Sequence, residues 1–204
     1  MGGRCSGPHH NGREKGLVLP NDRSPETCWK SHRLRMASMD GPIVRPATER
    51  DLPALTAMYN HYILQTPATF DIEPWTDGQR AEWFTHYADE GPHRVFVAEV
   101  DGGARGAAWS SQFRPRAAYA TTVETSIYCA PDWTGRGLGR VLYEALFAAL
   151  AGEGLHRAIA GITLPNEASI ALHHRFGFRQ VALLSEVGNK FGQFWDVAYF
   201  EKPL

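Results

Sequence analysis

One stretch of the chain limits what the rest can be. Val123-Glu124-Thr125-Ser126-Ile127-Tyr128-Cys129-Ala130-Pro131 leads into Trp133-Thr134-Gly135-Arg136-Gly137-Leu138-Gly139-Arg140, and then into Val141-Leu142-Tyr143-Glu144-Ala145-Leu146. The alternation of the first part reads as a strand, the alternate glycines as a tight turn, and the last part as a helix. That order converges backbone N–H groups and the positive end of a helix on one point, which holds phosphate without a metal. Glycine lets the main chain approach a ligand closely and adopt positive φ. Arg136 and Arg140 add charge beside those N–H groups. Thr122, Glu124, Ser126 and Tyr128 share one face of the strand, a polar face that borders a cleft, and Glu124 is the strand's one acid. A phosphate cradle beside a candidate base points to an enzyme with a phosphate-bearing cofactor; the bland alternative is an ordinary turn with two exposed arginines.

Other phosphate binders are excluded by residue type. No Lys-Ser/Thr follows the glycines, so the turn is not a P-loop. Gly137-x-Gly139 lacks a third glycine and lies mid-chain, which excludes a dinucleotide fingerprint. Residues 1–41 hold seven of the 21 Lys/Arg and four of the 22 Asp/Glu. The remainder is therefore mildly acidic, and nucleic acid is not expected as a partner. No apolar run approaches the ~20 residues of a membrane span, so no membrane partner is expected. Cys5, Cys28 and Cys129 are odd in number and scattered, with neither zinc-ligand spacing nor a disulfide framework; the simplest compartment is the cytoplasm, and no metal is expected.

The pattern divides the 204 residues into a disordered extension, 1–41, and one domain, 42–204. The extension has no apolar period and includes His9-His10, an adjacent pair that reads as solvated; Met36 and Met39 are alternative starts for the ordered part. From Ile43 a short strand is followed by a helix capped at Thr48 with Asp51 three residues on, then a loop with Pro67 and Pro74. Thr76 with Gln79 caps a second helix. Strands follow at 95–100 and 105–113, joined at Asp101-Gly102, and a third at 121–129. A helix over 137–152, a strand over 158–162, a helix over 166–176 and closing strands near 180–187 and 194–200 complete the reading. The fold class is α/β, with a mixed, mostly antiparallel central sheet and flanking helices.

These pieces in this order resemble the GNAT (GCN5-related N-acetyltransferase) superfamily, an acyl-CoA N-acyltransferase fold. More narrowly they resemble phosphinothricin acetyltransferases and related L-amino-acid N-acyltransferases. The resemblance is carried by Asn60-His61-Tyr62-Ile63, Val123 to Tyr128, Gly137-Leu138-Gly139, Leu164-Pro165-Asn166, Leu172-His173, Gly177-Phe178 and Trp195-Asp196-Val197. It covers about residue 43 to the end. It implies acetyl-CoA as co-substrate, its pyrophosphate on the N–H groups of Gly135, Arg136, Gly137, Leu138, Gly139 and Arg140. Its pantetheine arm would lie between splayed parallel strands, 121–129 and 158–163, against Ile127, Tyr128 and Cys129, a form of strand addition. Asn166 stands where the family binds cofactor through an Asn side chain. One departure is Thr134, where the superfamily has Gln or Arg; Arg136 is the candidate replacement.

The resemblance also implies an acceptor and a base. An amino acid's protonated amine cannot attack a thioester until a group takes its proton, and Glu124 matches the family's base. Arg114, Arg116, Tyr119 and Tyr128 resemble the residues lining the acceptor site, and Arg holds a carboxylate or phosphinate through paired bonds. Phe70 matches a pocket aromatic, though on its own it reads as core, and His173 stands where the subfamily has a histidine near the acceptor; it could bind substrate, relay a proton or serve the structure. A backbone N–H near Tyr128 or Cys129 would stabilise the oxyanion. Phe176 and Phe178 occupy the region where wider relatives place a tyrosine acid, so the thiolate's proton donor is unassigned. Cys129 reads as a small strand residue rather than a nucleophile. The expected reaction is direct N-acetylation of phosphinothricin or a related small amino acid in a ternary complex. Rival readings are a methionine sulfone or sulfoximine acceptor, ordinary amino acids, protein N-termini, and a catalytically silent acetyl-CoA-binding protein. Relatives are often homodimers, so a homodimer is a further expectation.

Overall fold

The computed structural model describes residues 41–204; the readings made above for 1–40, including Cys5, Cys28 and the paired histidines, lie outside the described residues. In chain order the elements are β1 (Ile43–Pro46), α1 (Leu52–Gln65), α2 (Asp77–Phe84), β2 (Val95–Val100), β3 (Gly103–Gln112), β4 (Thr122–Cys129), α3 (Leu138–Leu150), β5 (Arg157–Thr163), α4 (Glu167–Arg175), β6 (Arg179–Lys190) and β7 (Gln193–Pro203). The strands form one sheet in the order β1-β2-β3-β4-β5-β7-β6. Every neighbouring pair is antiparallel except β4 and β5.

Both faces of the sheet are covered. On one, α3 buries Leu138, Leu142, Leu146 and Leu150, which recur every fourth residue, over a floor of small residues, Ala98, Ala108, Ala158 and Ala160. A Cβ on Gly106 would lie 3.1 Å from the Leu142 side chain, so that floor is small because the helix lies close. On the other face α1 and α2 pack Leu55, Met58 and Trp83 against Val97, Ala107 and Trp109. Truncating a fully buried leucine such as Leu142 or Leu146 to alanine is expected to cost about 2–5 kcal/mol.

The entries to the first two helices follow from their caps. Asp51 accepts from the Thr48 N–H at 2.8 Å and from both terminal nitrogens of Arg45, which also reaches Glu99. This bolts a short 3-10 turn (Glu49–Asp51) to β1 and β2 ahead of α1. Thr76 and Gln79 form a reciprocal capping box at α2.

The closing hairpin departs from the sequence reading. β6 and β7 are longer than expected, meet at Phe191-Gly192, and carry an irregularity between Leu184 and Gly188. Both turn residues have positive φ, 55° and 71°, the two-residue geometry that matches strand twist. Phenylalanine rarely takes that conformation, so Phe191 gave no turn signal. Glu186, at φ 53°, interrupts the alternation and hid the second half of β6.

Candidate active site

The site begins where the one parallel strand pair comes apart. β4 and β5 pair only over Thr122–Glu124 and Arg157–Ile159, and then diverge. The gap opens into a cavity of about 510 Å³ bounded by β4, β5, the glycine turn and α4. Glu124 is the last paired residue of β4 and therefore stands at the vertex of the opening.

Strand geometry decides which backbone groups face the gap. The Ala130 N–H donates to Arg105 O in 2.8 Å, so Ala130 bonds toward β3. Peptide groups alternate in direction along a strand. Tyr128, Ser126 and Glu124 therefore also bond to β3, while Thr125, Ile127 and Cys129 turn to the β5 side. This corrects one expectation: the Tyr128 N–H is consumed by the β3 ladder, opposite Ala107, and is not available to cofactor or oxyanion. The Ile127 and Cys129 groups face the gap. The Cys129 carbonyl accepts from the Tyr62 hydroxyl at 2.7 Å, and burial pushes the Cys129 thiol up to about 11, which keeps it protonated near neutral pH.

The three glycines of the turn have separate reasons. Gly135 (φ 72°) and Gly137 (φ 85°) occupy left-handed backbone, and Gly137 is the N-cap of α3. Gly139 does not; a Cβ there would come within 2.9 Å of Leu172 on α4, so its role is to seat α4 against the first turn of α3. Among the described residues no side chain caps α3; the Arg140 N–H donates to the Gly137 carbonyl at 3.1 Å, which leaves the Leu138 and Gly139 N–H groups to a ligand. Leu138 itself is 2% exposed; its side chain belongs to the core and only its backbone can serve the cradle. The arginines are partly engaged: Arg140 donates to Glu144 at 2.7 Å, and Arg136 lies 4.8 Å over Trp133. Asn166 lines the cavity, but its carbonyl oxygen accepts from the Ser169 N–H and caps α4, so its amide nitrogen is the part left for a ligand.

His173 lines the same cavity, not the surface near Arg114, and it is 2% exposed. Its Nδ1 lies 2.7 Å from Ser169 O, an atom that can only accept, so Nδ1 carries the proton. Nε2 then accepts from the Tyr143 hydroxyl at 2.9 Å. Burial holds its pKa below the ordinary value, with the Ser169 bond opposing. Both nitrogens thus have internal partners in the α3–α4 seam, and the expectation that His173 binds the acceptor is corrected to that place.

The remaining acceptor candidates are not brought together in the cavity: Tyr128 lines it, and Glu124, Arg114, Arg116, Tyr119 and Phe70 do not. Glu124 is half-buried; burial raises its carboxyl above the usual range and Arg114 pulls it partly back. Phe113 gathers two of the predicted groups, with Arg114 4.8 Å over its ring and Tyr119 edge-on at 5.6 Å. Arg116 precedes the short 3-10 turn Ala117–Tyr119 and is exposed. The Tyr128 ring is stacked on Trp109 and edged by Tyr59 and Tyr62, at centroid separations of 5.4, 5.2 and 4.9 Å. Burial raises its hydroxyl well above the ordinary value, so Tyr128 can act only as a neutral phenol. Phe70, on the α1–α2 loop, lies over Gly188 of β6.

Sequence reasoning missed several cavity residues, Tyr62 and Arg175 among them. Tyr62 entered only as part of a motif, and Arg175, in the last turn of α4, not at all. A basic residue at a helix end carries a weak signal, because it usually serves the helix itself. Among the described residues no group of three or more His, Cys, Asp or Glu is placed to hold a metal, and no helix is long and apolar enough to cross a membrane.

Comparisons with known proteins agree on one family. The model of the acetyltransferase (GNAT) family matches residues 55–178. A phosphinothricin N-acetyltransferase of Streptomyces coelicolor is 54% identical over 164 residues, 79% of this chain and 95% of that protein. An L-methionine sulfoximine/L-methionine sulfone acetyltransferase of Pseudomonas aeruginosa is 34% identical over 161 residues, 79% of this chain and 94% of that protein. Among solved structures, a phosphinothricin acetyltransferase of Sinorhizobium meliloti in complex with acetyl-CoA superposes with a TM-score of 0.76 at 32% identity, over 81% of this chain and 89% of that one.

Proposed function

The chain belongs to the acetyltransferase (GNAT) family, it is an N-acetyltransferase that uses acetyl-CoA, and from this premise we propose that its acceptor is the amino group of phosphinothricin or a closely related small amino acid. The observation that carries the reading is the position of Glu124. It lies at the vertex of the strand opening, with the glycine cradle at the far end of the same gap and a basic, aromatic loop beside it. The 54% identical Streptomyces relative supports the acceptor class.

In this mechanism Glu124 takes the proton of the acceptor ammonium, and its raised pKa makes it a stronger base than a solvated carboxylate. The freed amine attacks the thioester carbonyl; a C–N bond forms, the C–S bond breaks, and the thiol leaves. The gap-facing N–H groups of β4 stabilise the oxyanion, which of the two first candidates, Tyr128 and Cys129, favours Cys129 and adds Ile127. Arg114 and Arg116 hold the acceptor's anionic groups, Tyr119 and Phe70 flank it, and the N–H groups of residues 135–139 with the Asn166 amide hold the cofactor's polar parts. Much of the acceleration comes from holding both reactants in line. A thiol-release assay with acetyl-CoA against phosphinothricin, methionine sulfone, methionine sulfoximine and the common amino acids tests the reading. Highest kcat/KM on phosphinothricin supports it, and turnover confined to ordinary amino acids overturns the acceptor assignment.

We infer that the reaction takes place in the cytoplasm and that two copies associate through β6. Among the described residues β6 is an unpaired sheet edge, and Val181, Leu183, Leu184 and Val187 on it are all more than 40% exposed. An antiparallel edge pairs with a second copy of itself about a two-fold axis. Sedimentation should give a dimer that Leu183→Asp converts to monomer; a monomeric wild-type protein would refute the association.

A further inference from the structure

The loop carrying Phe70 is fixed from outside its own helices. Lys190, in β6, is 3% exposed, and its ammonium donates to the Thr69 carbonyl at 2.6 Å. The Lys190 carbonyl accepts from Trp195 Nε1 at 2.9 Å, which anchors the lysine's own backbone within the hairpin. Two residues earlier, Gly188 lies beneath the Phe70 ring, and a Cβ there would overlap three ring carbons. The Gly188 φ is outside the left-handed region, so the backbone would accept any residue and only the ring demands glycine. On its other side the loop is held by Tyr59, whose hydroxyl meets Thr69 Oγ1 at 2.9 Å and Asp71 Oδ2 at 2.8 Å, and by Trp75, whose Nε1 donates to Asp71 at 3.0 Å. Three consecutive residues, Thr69, Phe70 and Asp71, are therefore held between β6 on one side and Tyr59 and Trp75 on the other.

Stability alone is a poor reason for this arrangement. The ammonium makes one hydrogen bond, to the neutral Thr69 carbonyl, with the Asp71 carboxylate only favouring its charge and the Phe191 ring centroid 5.2 Å away, and burial pulls its pKa down; an apolar side chain of similar length would serve packing as well or better. What the arrangement does supply is a fixed depth for one ring.

We propose that Gly188 and Lys190 are positioning residues for Phe70, and that through it they set the length of acceptor side chain the enzyme takes. The proposal rests on the reading that Phe70 borders the acceptor. Neither residue touches the reacting groups. Gly188 sets how far the ring settles toward the sheet, and Lys190 stops the loop from lifting it.

The test is steady-state kinetics on Phe70→Ala, Gly188→Ala, the Phe70→Ala/Gly188→Ala double variant and Lys190→Met, with acceptors of graded length. Gly188→Ala should raise the acceptor KM about tenfold, leave the acetyl-CoA KM within about twofold, and shift preference among the graded acceptors. The double variant should behave as Phe70→Ala does, because the added methyl then meets no ring; that non-additivity is the signature of the contact. Lys190→Met should reproduce the acceptor-side change and serves if Gly188→Ala does not fold. If Phe70→Ala leaves acceptor kinetics unchanged, the acceptor reading of Phe70 fails and takes the proposal with it. If Phe70→Ala alters acceptor kinetics while Gly188→Ala and Lys190→Met do not, the positioning role alone is overturned. A uniform change in both KM values would make the two residues structural and overturn it equally.

Discussion

The two ends of the cleft are built in different ways. The proposed cofactor end is mostly main chain: gap-facing groups of Ile127 and Cys129, two left-handed glycines, and an uncapped helix start, all within residues 127–140. The proposed acceptor end is side chains drawn from separate loops, with Arg114 and Tyr119 gathered on Phe113 and Phe70 held by a hairpin more than a hundred residues away. A thioester carrier that is always the same can be gripped by backbone. An acceptor that must be chosen needs side chains, and side chains need support. Glu124 stands between the two ends.

The sharpest break of this comparison is at that junction. Glu124→Gln removes the base and leaves both ends in place, so kcat/KM should fall by about 10²–10⁴-fold with little change in acetyl-CoA affinity. Wild-type activity should rise with pH through the Glu124 pKa, because only the carboxylate accepts a proton. Burial places that acid limb above the usual carboxylate range. A variant with undiminished turnover across pH would remove Glu124 from the chemistry.

Next in size are changes confined to one end. Gly139→Ala should force Leu172 and α4 off α3, raise the acetyl-CoA KM by about tenfold and cost about 1–3 kcal/mol of stability, with acceptor KM unaffected. Arg114→Met should do the reverse, raising acceptor KM. It should also move the acid limb upward, since the cation that pulls the Glu124 pKa down is gone. Titrating initial rates in both substrates separates the cases; an Arg114 variant that moves the limb downward would contradict the charge assignment.

The same contrast explains what could be read from the sequence. The cradle is contiguous and made of residues with special backbone needs, so Gly135, Gly137 and the strand before them announced it. The capping pairs Thr48/Asp51 and Thr76/Gln79 announced their helices for a similar local reason. The Lys190–Thr69 and Gly188–Phe70 contacts join residues far apart in sequence, and no local pattern encodes them. Direction along a strand was equally hidden: choosing between the N–H groups of Tyr128 and Cys129 required the β3 register. His173 left two readings open, because a histidine beside a cavity suits ligand or seam alike, and the Tyr143 and Ser169 contacts favour the seam.

That seam supplies the smallest effect. His173 is neutral when folded and its pKa is depressed chiefly by burial. Its contribution is therefore complete above the ordinary histidine value of about 6.5 and is lost as pH falls below it toward the folded pKa. Thermal unfolding should show stability declining with acidity in that window, and His173→Asn, which does not titrate there, should flatten this part of the curve. Tyr143→Phe leaves the imidazole Nε2 without its donor and should cost about 1–3 kcal/mol at pH 7. Because Leu172 of the same helix turn rests on Gly139, any kinetic effect of these variants belongs on acetyl-CoA. A selective rise in acceptor KM for His173→Asn would instead place the imidazole at the acceptor end and dissolve the division drawn between the two halves of the cleft.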